Sequence, residues 1–94
     1  MRARDIARWV AESATCAAPA SQTYLFGSAM RAEAAWSDID LLVVCRQEVD
    51  AVAIRDALAP LCLRYPIDLI IMTRVEEAEL SFIDSEACEL VTHA

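Results

Sequence analysis

Two short apolar runs, each with an aspartate at its start, flank one helix-length segment. The first is Asp38-Ile39-Asp40-Leu41-Leu42-Val43-Val44, and the second is Ile67-Asp68-Leu69-Ile70-Ile71-Met72. Both are rich in branched apolar residues and have the length of a strand. Residues 48–63 between them carry Ile54, Leu58, Leu61 and Cys62 on one helical face. A helix is the connection that two parallel strands require. Helix and strand alternate along the rest of the chain, so the expected class is α/β (α+β). A small mixed sheet with helices packed against it is expected, in the order α-β-α-β-α-β.

Residues 3–14 carry the stripe Ile6, Trp9, Val10 and Ser13 and read as a first helix. Residues 17–21, with Pro19, break it as a loop, and Thr23 to Phe26 is a short strand. Gly27-Ser28 closes that strand, and Ala29 to Ala34 form a short helix. The link to the next strand is short, which suits an antiparallel pair. In the long helix, Pro60 predicts a kink or an end near Ala59. Thr73-Arg74-Val75-Glu76 matches a capping box and starts a last helix running to about Ile83. Leu90-Val91 adds a short final strand.

Ninety-four residues make one domain, 1–94. The apolar fraction of 57% exceeds what so small a core hides, which points to a homo- or hetero-oligomeric surface. A net charge of −7 argues against direct nucleic-acid binding and against an anionic membrane. There is no membrane-length apolar stretch and no signal peptide. Cys16, Cys45, Cys62 and Cys88 are scattered without Cys-x-x-Cys spacing and read as reduced thiols of a cytoplasmic protein.

The acids carry the chemistry. Asp38 and Asp40 are two apart in a strand and so share a face with Leu42 and Val44. Asp68 shares a face with Ile70 and Met72. If the strands are parallel neighbours, Asp40 and Asp68 stand side by side. Carboxylates a few ångströms apart repel by about 4 kcal/mol at an effective dielectric near 20. Either one holds a proton or a divalent cation binds. An all-oxygen donor set favours Mg²⁺ or Mn²⁺, and Mg²⁺ typically combines one or two carboxylates with substrate phosphates. Gly27, the only glycine, permits a tight turn, and Ser28 opens a helix N-terminus that suits an anion. Arg31 adds a charge one turn on.

Phe26-Gly27-Ser28, Asp38-Ile39-Asp40 and the later Asp68 together resemble the DNA polymerase beta-type nucleotidyltransferase superfamily. Within it the chain is similar to the minimal nucleotidyltransferases over nearly its whole length. The sequence departs from that pattern in a nine-residue gap between Ser28 and Asp38, where ten is expected, and in Ala32, where glycine is common. The resemblance implies that Asp38 and Asp40 hold metal ions, that Asp68 completes the site as ligand or base, and that Gly27 and Ser28 hold the triphosphate. It implies transfer of a nucleoside monophosphate, AMP from ATP, to a hydroxyl. It further implies an antitoxin whose acceptor is a tyrosine of a HEPN-domain toxin. A non-catalytic, nucleotide-binding partner subunit is the alternative. A third possibility is a plain α/β domain whose acids are merely solvated at strand ends. Trp9 and Trp36 read as packing residues, His93 as a solvated tail, and Glu76, Glu77 and Glu79 as an exposed helix face.

Overall fold

The computed structural model describes residues 2–27 and 38–92. In chain order these form α1 (Ala3–Ala17), β1 (Gln22–Phe26), β2 (Ile39–Cys45), α2 (Glu48–Arg64), β3 (Ile67–Thr73), α3 (Arg74–Leu80), α4 (Phe82–Ser85) and β4 (Glu89–Leu90). The strands make one mixed sheet in the order β3-β2-β1-β4. β1 runs antiparallel to both β2 and β4, and β2 runs parallel to β3. The expected helix over residues 29–34, together with Trp36 and His93, lies outside the described residues.

β2 is central and buried almost throughout, because both faces of the sheet are covered there. On one face Ile39, Leu41, Val43 and Cys45 meet Ile6, Val10 and Ala14 of α1 and Ile54 and Leu58 of α2. The other face holds a smaller cluster: Phe26, Leu42, Val44 and Met72, with Phe82 and Ile83 of α4 lying over it. The Phe82 ring meets Phe26 edge-on, with centroids 5.1 Å apart. Strand alternation therefore distributes the residues as the sequence predicts.

Three of the four described helices share one N-terminal device. Asp5, Asp50 and Glu76 each stand three residues past the cap and accept the backbone N–H of Arg2, Gln47 and Thr73. Each satisfies a donor that the helix leaves open and places negative charge at the positive end of its dipole. Only the third was legible as a capping box, since the other two lack a hydroxyl at the cap. Glu77 accepts the Ile83 N–H. Two acids of the expected exposed face are thus capping groups.

Several expectations are corrected. α2 does not end near Ala59; it continues through Pro60 to Arg64. Pro60 is exposed, so water can serve the carbonyl its missing N–H leaves free. The last helix does not reach Ile83 unbroken. Ser81 adopts the left-handed conformation (φ 51°, ψ 41°) and divides α3 from α4. Trp9 is 40% exposed and leans on Tyr65 at the rim, outside the α1 core stripe of Ala3, Ile6, Ala7, Val10, Ala11 and Ala14. Cys16 is exposed, unlike Cys45, and all four cysteines are free.

Ala87 also has a positive φ of 51°. A left-handed alanine costs roughly 1–2 kcal/mol, against which glycine loses part of the gain through unfolded-chain entropy. Ala87→Gly is therefore expected to stabilise the chain by about 0.5–1 kcal/mol, seen as a higher urea midpoint at unchanged slope.

Candidate active site

Asp40 and Asp68 are direct partners in the parallel β2–β3 register. They emerge on the same face of the sheet, the one lined further along by Leu42, Ile70 and Met72. Asp38 is exposed and immediately precedes β2. The first turn of the sheet comes in from the other side: Phe26 at the end of β1 pairs with Asp40, and Gly27 follows. Three separate stretches of sequence thus meet at one end of the sheet.

Gly27 has φ +77°, and a Cβ built on it would lie 2.1 Å from Asp40 Oδ2. The carboxyl occupies the space that any side chain at position 27 would need. Glycine is required here twice over, for its backbone angle and for this approach.

The electrostatics follow from the crowding. The Asp40 carboxyl titrates above its ordinary value of 3.8. Partial desolvation is the largest cause; the charges of Asp68 and Asp38, a hydrogen bond to Asp68 and the charge of Glu86 add to it. Asp40 is half-buried and Asp68 is exposed, so the pair stands at a rim of the fold.

Glu86 was missed by sequence reasoning. It lies far along the chain, and nothing local marks it. The turn of α4 back over the Phe26 cluster brings its charge within reach of Asp40. Ser28 and Arg31, expected to grip phosphate, lie outside the described residues. Among the described residues, no three acidic, histidine or cysteine side chains are gathered tightly enough to cage a metal ion by themselves. A cleft of about 460 Å³ opens elsewhere, between α1 and the β4 end, near Leu25 on the helical face. Both arginines that line it are paired, Arg4 with Glu89 and Arg8 with Asp5.

A mixed sheet with acids on adjacent parallel strands and a glycine turn set against them defines a nucleotidyltransferase-type fold. The family model described as "Nucleotidyltransferase domain" matches residues 15–91. The chain belongs to this family, and nucleotidyl transfer is the family's chemistry. No curated protein and no solved structure matches it. Among the described residues, no helix is long and apolar enough to cross a membrane.

Proposed function

We propose that the chain is a metal-dependent nucleotidyltransferase that moves AMP from ATP to a hydroxyl of a partner protein, with Asp38, Asp40 and Asp68 as its catalytic acids. The observation that carries this reading is the registered Asp40–Asp68 pair held against Gly27. A metal fits the donor chemistry: hard carboxylate oxygens in excess of any cation among their described neighbours. The set is not a closed cage, which suits Mg²⁺, whose remaining ligands are commonly water and substrate phosphates.

In this reading Asp38, Asp40 and Asp68 would hold Mg²⁺ or Mn²⁺, which would supply Lewis-acid charge against the polyphosphate. Asp68, more exposed than its registered partner Asp40, would face the acceptor and take the hydroxyl proton at a carboxylate oxygen. Gly27 leaves room for Asp40 to lie close to the turn where Ser28 and Arg31 would receive the phosphates. The bond formed is acceptor oxygen to α-phosphorus; the bond broken is the α–β phosphoanhydride, and pyrophosphate leaves. The acceptor we assign is a tyrosine of a HEPN-domain toxin, which makes the chain the antitoxin of that pair and places it in the cytoplasm. This assignment rests on family analogy.

A second reading, a non-catalytic subunit that binds nucleotide and neutralises its partner by contact, is favoured by the two departures from the family pattern, the nine-residue gap between Ser28 and Asp38 and Ala32. One experiment separates them. The chain is incubated with α-labelled ATP, Mg²⁺ and the HEPN protein. Label on a partner tyrosine is the expected result. Nucleotide binding without label on any partner supports the second reading, and neither binding nor label overturns both.

A further inference from the structure

The outer face of α2 carries a seam that the fold does not use. Ile54 and Leu58 point into the core. On the opposite side lie Val49, Val52, Asp56, Ala59 and Leu63, all exposed, with Val49 at 67%, Val52 at 61% and Leu63 at 90%. Their spacing alternates three and four residues, the interval by which one helix presents knobs to another. A surface helix normally keeps such an apolar stripe for the core alone; α2 is apolar on both sides.

The one polar member identifies the occupant. Asp56 stands at the middle of the seam, and among the described residues no ion pair or hydrogen bond to its carboxylate is found. No arginine lies three or four residues from it along the helix. A second copy is a poor fit. Pairing two seams in register sets Asp56 against Asp56, and a shifted antiparallel pairing leaves each carboxylate against alanine. Both arrangements also bring together two chains of net charge −7. A covered carboxylate requires a cation.

We propose that this seam docks an amphipathic helix of a partner protein, apolar along its contact stripe and bearing one lysine or arginine opposite Asp56. Val52 and Leu63 are the apolar anchors on either side, and the central ion pair fixes register. The seam lies on the helical layer, whereas the acids lie on the other face. Docking therefore stands apart from nucleotidyl transfer, and a failure of one leaves the other in place.

The test uses the full chain, without nucleotide, and two fluorescent helix-stapled peptides. Both carry leucine at the contact positions; one has lysine at the central position and the other glutamate. By fluorescence anisotropy, the lysine peptide is expected to bind at least about tenfold more tightly than the glutamate peptide. Asp56→Lys is expected to reverse that order. Leu63→Glu is expected to weaken the lysine peptide by about tenfold or more, with circular dichroism confirming the fold. Three results would overturn the proposal: no binding of the lysine peptide, equal affinity for both peptides, or sedimentation showing a self-dimer that Val52→Glu disperses.

Discussion

Asp40→Asn leaves the chain folded and removes nucleotidyl transfer. On the proposed mechanism, the substitution takes one of two registered carboxylates from the metal while keeping its shape. Loss of about a hundredfold to a thousandfold in transfer rate is expected, the scale on which a directed electrostatic group acts. Stability moves the other way, and its pH dependence checks the cause. The folded-state pKa of Asp40 is raised above its ordinary value of 3.8. The proton is thus held more tightly in the folded chain. Wild-type stability falls as the pH rises from near 3.8 through the raised pKa, because the ionised carboxyl is partly desolvated and stands beside the charges of Asp68 and Asp38. Asparagine carries no such penalty. Its melting temperature should exceed wild type at pH 7 in metal-free buffer, and the two should converge below the ordinary carboxylate pKa. Mg²⁺ should narrow the gap by stabilising wild type alone. A variant that is no more stable than wild type at pH 7 would mean that neither desolvation nor the neighbouring acids penalise the Asp40 anion. Full transfer by the variant would remove Asp40 from the mechanism.

Much of this geometry was legible because strand periodicity is rigid. Once β2 and β3 are parallel neighbours, the acids near the start of each run fall on one face, and a helix-length link allows only that pairing direction easily. The Asp40–Asp68 partnership needs no more than that. Burial was less legible. The apolar runs do not show how open the acids are: Asp68 sits on an edge strand near its open end and stays exposed. The tail of the fold was misread because its signals are conformational. Ser81 has no propensity that announces a left-handed break. Glu86 gains its relation to Asp40 only through the packing of Phe82 on Phe26. Of the two outcomes Pro60 suggested, an end near Ala59 does not occur, since a proline on the solvent side of a helix need not end it. Alternating patterns specify which residues share a face. They do not specify what tertiary contact makes of a turn.

The closest physical coupling in the site is between Gly27 and Asp40, and Gly27→Ala exposes it. Two costs arise at once. Alanine at φ +77° costs about 1–2 kcal/mol in backbone strain. Its Cβ would also lie 2.1 Å from Asp40 Oδ2 and 3.0 Å from Asp40 Cγ, so the carboxyl must rotate away from its place beside Asp68. A double-mutant cycle separates them. Asp40→Ala removes the carboxyl but not the backbone strain, so Gly27→Ala should cost less in that background. The coupling is expected to fall within roughly 0.5–3 kcal/mol, the range for residues in direct contact. Transfer activity should fall with Gly27→Ala by far more than the fraction unfolded accounts for, because the displaced Asp40 no longer faces Asp68 across the register. Serine at position 27 should do no better than alanine, since its added oxygen brings a Cβ as well. A cycle that closes with zero coupling would show that Asp40 yields freely and that Gly27 serves the turn alone. Activity that tracks only the folded fraction would show that the position of Asp40 against the turn is irrelevant to the chemistry.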